Sequence, residues 1–289
     1  HEILLTSLRV IMLVSRSKTL SLARPRIMGI LNVTPDSFSD GGEFFESGAV
    51  ERALTMVQEG ADIIDVGGES TGPGSKDVLL DEELRRVISV ICGIREKNSD
   101  VWISVDTWKA EVARQAIEAG ADMVNDVMAL RMGGEAMAQV VAESGVPVVM
   151  MYSKDSTPRT TRDRVEYGDV VQAIKRFFDE RLRFAESHGV KSSQIVLDPG
   201  MGAFVSGDPH YSFEILKRLC EFATFGSPIL VGASRKGFIQ DICGGEGPQD
   251  RLEGSLAAAM IAAMNGAKIV RVHDVKETKR TLDFIDALR

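Results

Sequence analysis

The sequence predicts a single-domain α/β protein with a (β/α)8 TIM barrel, on three observations. Short apolar runs alternate with helix-length stretches along most of the chain, the pattern of parallel strands joined by crossover helices. Eight such runs can be distinguished, whereas a doubly wound open sheet more typically has six, and no GxGxxG turn follows the first run. Almost every run ends in polar residues, and in a barrel all strand C-termini face one mouth.

The first predicted strand covers residues 26–32 and continues into a polar loop at residues 33–42. Glycines follow the helical stretches, where a left-handed residue ends a helix, and β-rich runs come next. These glycines are Gly60, Gly120, Gly145, Gly189 and Gly266, and the runs include residues 63–66, 123–125, 147–151, 195–197 and 269–272. The predicted helices include residues 49–59, 82–95, 110–119, 170–187, 252–264 and 275–288. Asp208 and Pro209 predict the start of another, running towards Cys220.

The chain is predicted to be one barrel domain, residues 26–289, preceded by an N-terminal extension or leader segment at residues 1–25. With 289 residues, 44% of them hydrophobic, it can bury a full core. A net charge of −8 argues against nucleic-acid binding, which needs a basic surface. No apolar run approaches the ~20 residues of a membrane span. A mild basic run of Arg159, Arg162 and Arg164 is interpreted as a solvated loop face.

The three cysteines are odd in number and have no CxxC spacing. Each is interpreted as a small buried apolar residue rather than a metal ligand or half of a disulfide. This cysteine usage favours a reducing compartment, so we expect a cytoplasmic protein.

The residues at the predicted strand ends have complementary chemistry. Two carboxylates and an amide suit a flat heterocycle with an amidine-like N–H edge, and three cationic groups suit phosphate or pyrophosphate. The acceptors are Asp106, Asn125 and Asp198, the donors are Lys236, Arg271 and His273, and neutral groups come from Asn32, Thr71, Gly67, Gly68 and Gly74. The strand ends therefore predict a phosphorylated, nitrogen-rich ring as substrate.

Each of these residues also has a purely structural interpretation. Asp198 precedes Pro199 and Gly200, and an aspartate before a turn often only closes the turn. Asp106 could cap the next helix, and His273 could be a hydrogen-bonded structural histidine. Their joint placement, one at each strand end on one face, favours a functional site.

Seven segments resemble signatures of the dihydropteroate synthase family, in the same order and over residues 26–289. They are MGILNVTPDSFSDGG at 28–42, DVGGEST at 65–71, SVDT at 104–107, ND at 125–126, DPG at 198–200, SRKGF at 234–238 and RVHDV at 271–275. The first and last are long and specific, whereas DPG alone is weak. The resemblance implies a barrel that condenses p-aminobenzoate with 6-hydroxymethyl-7,8-dihydropterin pyrophosphate.

The resemblance also implies roles for single residues. Asp106, Asn125, Asp198 and Lys236 would hold the pterin, with Met151 against the face of its ring. Asn32, Arg271 and His273 would hold the pyrophosphate, with Mg²⁺ bound by the phosphates and Asn32. Two loops would close over the reacting carbon, through Thr34, Asp36, Phe38, Thr71 and Pro73. The p-aminobenzoate would lie near Ser234 and the turn of Lys236 and Gly237. Within this set Asp106, Lys236, Asp36 and Phe38 are the expected catalytic residues, and a homodimer is expected.

Three departures from the family pattern bear on ligand binding. Gly72 stands where the family usually has an arginine that would grip the pyrophosphate. After Asp198-Pro-Gly the family usually reads Gly-Phe-Gly-Lys, but residues 202–205 read Gly-Ala-Phe-Val, so Phe204 either takes the aromatic role through a one-residue shift or the pocket wall is altered. Tyr152 and Ser153 follow Met151 where His and Met are usual.

Two alternative functions remain open from the sequence. A pterin-dependent methyltransferase domain would share the barrel and the pterin floor, but such domains lack the TPDSFSD loop and the SRK turn, both present here. A degenerate paralogue could bind pterin without turnover, given the changes at Gly72 and Ala203.

Overall fold

A computed structural model describes residues 12–16, 18–34 and 43–288 of the chain. Eight parallel strands form one sheet: β3 (Arg26–Asn32), β4 (Ile63–Gly67), β5 (Trp102–Asp106), β6 (Met123–Asp126), β7 (Val148–Met151), β8 (Ile195–Asp198), β9 (Leu230–Val231) and β10 (Ile269–Val272). Their order in the sheet is β8-β7-β6-β5-β4-β3-β10-β9. Every residue of β4, β6, β7 and β8 is buried, as expected for a parallel sheet covered by helices.

The sheet closes on itself. A parallel bridge joins Leu197 of β8 to Ile229, just before β9, and the backbone N–H of Leu197 donates to the carbonyl of Pro228 at 2.9 Å. The closed order confirms the predicted (β/α)8 barrel and rules out the doubly wound open sheet, which has two free edges.

Helices cover the outside of the barrel and bury a large apolar core against the strands. They are α1 (Glu43–Glu59), α2 (Leu80–Lys97), α3 (Ala110–Ala119), α4 (Gly134–Ser144), α5 (Val170–Ser187), α6 (His210–Lys217), α7 (Gly237–Cys243), α8 (Leu252–Met264) and α9 (Val275–Asp286). The five glycines predicted to end helices all have positive φ. Helix α6 begins one residue after the predicted position, and the Asp208 carboxylate accepts from the N–H of His210 at 2.9 Å.

A β-hairpin closes the end of the barrel opposite the site. Strands β1 (Met12–Ser15) and β2 (Lys18–Ser21) pair antiparallel. Leu13, Leu20 and Leu22 pack against a layer to which each of the eight barrel strands contributes one side chain. That layer consists of Met28, Ile63, Trp102, Met123, Val149, Val196, Leu230 and Ile269. The described part of the segment before residue 26 therefore shares its core with the barrel.

Four details differ from the sequence-based expectations. The hairpin was not predicted, and α7 is an additional short helix between β9 and α8. Cys92, Cys220 and Cys243 are free but exposed, so their interpretation as buried apolar residues was wrong. The positions of Cys92 and Cys220 in amphipathic elements put them on the solvent side, and Cys243 ends a short surface helix. Arg159 is not part of a solvated face, because its side chain is only 19% exposed and lies in ion pairs.

Across the described residues, no helix combines the length and the apolar composition needed to cross a membrane.

Candidate active site

Polar side chains from neighbouring strands meet inside the mouth of the barrel. The register pairs Gly67 of β4 with Asp106 of β5, and Asp106 with Asn125 of β6. Parallel strands in register place their C-terminal ends at one level, so side chains distant in sequence become neighbours. Asp106 does not cap α3, since the N-cap residue of that helix is Lys109 and no side chain accepts a hydrogen bond there. The capping interpretation of Asp106 is therefore wrong.

The centre of the site is a guanidinium shared by two carboxylates. Arg271 donates through Nε to Asp65 Oδ2 and through Nη2 to Asp106 Oδ2, both at 2.6 Å. Asn125 Nδ2 donates to the same Asp65 oxygen at 3.0 Å, which leaves the Asn125 carbonyl oxygen for a ligand. Buried carboxylates need such partners because an unpaired charge in the interior is costly. The other Asp65 oxygen, Oδ1, is buried without a partner in the described structure.

The charges of this cluster perturb one another. Burial raises the pKa of Asp106 to about 7, against the opposing effect of Arg271 and with a further contribution from Asp65. Burial alone would lower the pKa of Arg271, but Asp65 and Asp106 outweigh it and hold that pKa above its ordinary value. Because two carboxylates share one guanidinium, the cluster keeps a carboxylate acceptor to which a ligand can donate a hydrogen bond.

Asp198 and Lys236 are two further charged residues at the mouth, and each shifts the pKa of the other. Asp198 is buried, and its Oδ1 accepts the backbone N–H of Gly200 at 2.8 Å. It therefore closes the turn, as the structural interpretation predicted, and keeps its second oxygen for other contacts. Burial raises the pKa of Asp198, whereas Lys236 opposes the rise. Burial lowers the pKa of Lys236 to about 8, with Asp198 acting in the opposite direction.

A small apolar cluster forms one wall of the mouth. Met151 packs with Val127 and Met128, and Trp108 and Phe204 pack against them. Lys236 Nζ lies 4.9 Å from the centre of the Phe204 ring, within range of a cation–π contact. Phe204 therefore supplies an aromatic ring to this wall.

A cavity of about 320 Å³ lies beside the ends of β3 and β10. Asn32, Arg235 and His273 contribute its polar groups, together with Arg52 from α1. Burial lowers the pKa of His273 to about 4, and the cations Arg271 and Arg235 add to this effect, so the imidazole is neutral near pH 7. Arg235 Nε is paired with Asp274 Oδ2 at 3.0 Å.

The Ser234 hydroxyl contacts the ring of His273. The Ser234 hydroxyl oxygen accepts the backbone N–H of His273 at 3.2 Å and lies 3.1 Å from its Nδ1. A hydroxyl that donates to Nδ1 leaves the imidazole proton on Nε2. His273 then presents a neutral N–H donor to a ligand.

A second cavity, of about 380 Å³, opens between the loops that follow β4, β7, β8 and β9. Its lining includes Gly72, Pro73, Phe204, Lys236 and Gly237. Ser234 does not line this cavity, and its hydroxyl contacts His273 instead.

The loop after β4 is tied down by charged side chains. Glu69 is almost fully buried and pairs with Arg159, which also donates to the carbonyls of Ser70 and Lys76 at 3.0 and 3.1 Å. On the other side, Lys109 Nζ lies 2.6 Å from Glu69 and 2.6 Å from Glu83. The backbone of Thr71 is joined to the loop after β7, since its carbonyl accepts the N–H of Thr160 at 3.3 Å.

Comparison with known proteins identifies this arrangement. Residues 28–273 match the family described as pterin-binding enzymes. The dihydropteroate synthase of Escherichia coli K12 is 45% identical over 276 residues, covering 95% of each chain. The chain belongs to the dihydropteroate synthase family.

Solved structures of that family superpose closely on the chain. Dihydropteroate synthase of Xanthomonas albilineans with 4-aminobenzoic acid has a TM-score of 0.89 and 42% identity, over 96% of this chain and 98% of the other. The same organism's enzyme in complex with 7,8-dihydropteroate has a TM-score of 0.84 and 38% identity, with the same coverage. The chain is therefore an enzyme, and the dihydropteroate synthase interpretation is favoured over the methyltransferase domain and the degenerate paralogue.

The structure brings most of the predicted dihydropteroate synthase residues together. Those at one mouth are Asn32, Pro73, Asp106, Asn125, Met151, Asp198, Lys236, Gly237, Arg271 and His273. Thr71 is joined to the loop after β7 by its backbone carbonyl, and Ser234 contacts the site through the ring of His273. Asp36 and Phe38 lie outside the described residues. Arg271, predicted to hold pyrophosphate, has two of its donor nitrogens bonded to Asp65 and Asp106.

Asp65 lies in this site, although the sequence analysis did not predict it as a site residue. It lies in the middle of the apolar run of β4 and is fully buried. A single carboxylate inside an otherwise apolar strand was the available signal, since a buried charge needs a partner. Its partners, Arg271 and Asn125, come from strands far away in the sequence.

Proposed function

We propose that the chain condenses 6-hydroxymethyl-7,8-dihydropterin pyrophosphate with p-aminobenzoate to form 7,8-dihydropteroate and pyrophosphate. The observation that carries the proposal is the cluster of Asp65, Asp106, Asn125 and Arg271, with Asp198 and Lys236 beside it. A flat ring with an N–H edge on one side and carbonyl and ring-nitrogen acceptors on the other matches this mixture of acceptors and donors.

In this proposal the pterin lies on the polar floor with its face against Met151. Three groups accept hydrogen bonds from the ring N–H groups. They are the Asn125 carbonyl oxygen, the Asp198 oxygen that is not bonded to Gly200, and the Asp106 carboxylate. Lys236 donates to a ring acceptor, and Asp106 and Lys236 are the catalytic groups in the sense that they contact the reacting pterin. The apolar wall excludes water from one face and fixes the plane of the ring.

The pyrophosphate would occupy the cavity beside β3 and β10. With its proton on Nε2, His273 would donate to the pyrophosphate oxygens, and Arg235 and Arg52 add positive charge to the lining. Stabilising the departing charge is the main electrostatic demand of the reaction.

Mg²⁺ fits this cavity as a companion of the phosphates. Among the described residues no group of three or more His, Cys, Asp or Glu side chains could hold a metal ion. One amide oxygen, from Asn32, lines the cavity, and Mg²⁺ is commonly bound by one or two protein oxygens together with substrate phosphates. When bound, the ion neutralises charge on the leaving group.

The reaction requires no strong base. The C–O bond to pyrophosphate breaks while the electron-rich pterin stabilises the positive charge on its exocyclic carbon. The neutral aromatic amine then forms the C–N bond and releases one N–H proton. The amine would approach from the 380 Å³ cavity, past Phe204 and Pro73. Asp36, Phe38 and Thr71 belong to loops that we propose contact the reacting carbon.

Turnover tests the proposal directly. Purified protein with both substrates and Mg²⁺ should release one pyrophosphate for each dihydropteroate formed. Asp198→Asn should bind the pterin substrate more weakly, by about tenfold or more, since a hydrogen bond to a charged group is worth about 1.5–3 kcal/mol. Binding of pterin pyrophosphate without pyrophosphate release would instead favour the degenerate paralogue.

We also propose a homodimer formed through the last helices. Exposed apolar side chains lie on α7, α8 and α9 and just after α9: Ile242, Ile261, Met264, Phe284 and Leu288. Such residues on neighbouring helices suit an interface between two copies. Sedimentation should give twice the chain mass, and Met264→Glu should shift it towards the monomer. Small-molecule substrates and a cytoplasmic location complete the proposal.

A further inference from the structure

Four cationic side chains line the 380 Å³ cavity: Arg162, Arg235, Lys236 and Arg251. Three of them are already occupied. Arg235 is paired with Asp274, and Arg251 Nη1 donates to the carbonyl of Arg235 at 2.6 Å. Lys236 Nζ donates to the carbonyl of Met201 at 3.2 Å.

Arg162 differs from these three. Within the described part of the chain its side chain has no hydrogen bond and no ion pair. Its neighbours in the same loop are engaged, because Lys154 is bonded to Asp155 at 2.6 Å and Arg159 is bonded to Glu69. The loop thus presents one uncommitted guanidinium to the cavity.

The backbone around Arg162 is held against the opposite wall. Thr160 Oγ1 donates to the carbonyl of Ala203 at 2.9 Å, and Gly207 N donates to the carbonyl of Asp163 at 2.9 Å. A Cβ added at Gly207 would lie 2.1 Å from the carbonyl oxygen of Arg162, so only glycine permits this approach. These contacts hold the backbone of Arg162 in place beside the cavity.

Arg162 and the three other cationic side chains of this cavity give it a positive charge that suits a ligand with an anionic end. The inner part of the cavity is bounded by Phe204 and Lys236, next to the pterin site, and suits an aromatic ring that brings a nucleophile inward. A para-substituted ring carries its second substituent at the opposite end. A carboxylate there faces the exposed side of the cavity, where the planar guanidinium can bind it through two parallel hydrogen bonds.

We infer that Arg162 is a specificity-determining residue that binds the carboxylate of p-aminobenzoate. The inference rests on the proposed function and adds a residue from the loop after β7 to the aniline pocket.

The test compares two variants that remove the same charge from the same loop. Arg162→Gln removes the cavity guanidinium, and Arg164→Gln removes an exposed arginine that does not line the cavity. Arg162→Gln should raise the KM for p-aminobenzoate by about tenfold or more, because a charged bidentate pair is lost. Arg164→Gln should leave this KM unchanged, and Arg162→Lys should give an intermediate value. The KM for pterin pyrophosphate should stay constant in all three.

A neutral ligand isolates the charge. The inhibition constant of 4-aminobenzamide, which lacks the carboxylate, should be the same for the wild type and Arg162→Gln. An equal loss for the acid and the amide would overturn the inference, since Arg162 would then act on pocket shape. Equal KM values for Arg162→Gln and Arg164→Gln would overturn it as well. Absence of turnover in the wild type, in contrast, would count against the proposed function.

Discussion

Burial is the main cause of the shifted pKa values of residues at the mouth. Asp65 and Asp106 share the single guanidinium of Arg271, so the cluster has an excess of acceptors. Burial, with a smaller contribution from Asp65, raises the pKa of Asp106 to about 7, and burial lowers the pKa of Lys236 to about 8. Perturbed groups of opposite type within one cleft are characteristic of active sites.

Pterin affinity should therefore depend on pH with a maximum between the two values. Below pH about 7 Asp106 becomes protonated and loses the negative charge that attracts ring donors, so binding weakens as the pH falls. Above pH about 8 Lys236 becomes neutral, and binding weakens as the pH rises. Calorimetry with an unphosphorylated pterin between pH 5 and 9 measures this without titration of a phosphate. Asp241→Asn, at an exposed position in the next cavity, should keep the profile, and a flat profile in the wild type would contradict these assignments.

Gly72 is the residue at which adding a charge is most informative. A Cβ there would meet only Ser70 Oγ, at 3.7 Å, so an arginine fits without strain. Gly72→Arg should lower the apparent KM for pterin pyrophosphate by about tenfold for each ~1.4 kcal/mol of added binding. Gly72 lines the 380 Å³ cavity, and we expect the long arginine side chain to extend from there to the phosphates. Binding of an unphosphorylated pterin should then not change. An equal effect on both ligands would mean that Gly72 acts through loop flexibility instead.

Among the structural elements, the turn after β6 is strained. Ala129 and Leu130 both have positive φ, at 49° and 63°, although neither is glycine and both are fully buried. The Asp126 carboxylate accepts the N–H groups of Met128 and Leu130, each at 2.8 Å, and Arg181 Nε donates to the carbonyl of Ala129 at 2.9 Å. These bonds hold Met128 in the apolar wall of the site. Strain maintained by buried polar contacts is typical of functional regions.

Arg181→Met should destabilise the protein by about 1–3 kcal/mol, because the buried carbonyl of Ala129 loses its donor. We also expect weaker pterin binding, since the turn that holds Met128 is free to relax. Urea unfolding measures the first effect and calorimetry the second. Arg183→Met, on the exposed side of the same helix, is the matched control and should change neither quantity. Unchanged pterin affinity in a destabilised Arg181→Met would restrict Arg181 to a role in stability.

At the scale of the whole molecule, the hairpin of β1 and β2 is part of the barrel core. Leu13 is 1% exposed and packs in the layer formed by all eight strands. Leu13→Ala should lower the free energy of unfolding by about 2–5 kcal/mol, the usual cost of a cavity in a core. Met12→Ala, at a residue 46% exposed in the same strand, should have little effect. Two separate unfolding transitions in urea would show that the hairpin unfolds apart from the barrel.

The sequence by itself determined the barrel and most of the site. Eight apolar runs and the glycines that follow the helices specify parallel strands with crossovers, which are local patterns along the chain. Asp106 and Asp198 were predictable because each ends a strand, and Asn125 lies one residue before the end of β6. Lys236 was predictable from the polar turn that follows the apolar run of β9. The paired strands Met12–Ser15 and Lys18–Ser21 were not, since these short strands acquire an apolar partner only when the barrel closes.

Only the tertiary structure decided which polar groups are partners. Asp65 and Arg271 are 206 positions apart, and their hydrogen bond exists because β4 and β10 both border β3 in the closed sheet. Arg159 and Arg162 lie in one loop with the same chemistry, yet one pairs with a buried glutamate and the other faces a cavity. Local sequence specifies strands, helices and turns, because these depend on neighbouring residues. The pairing of charges depends on burial and on distances set by the closed barrel, and no local pattern contains them.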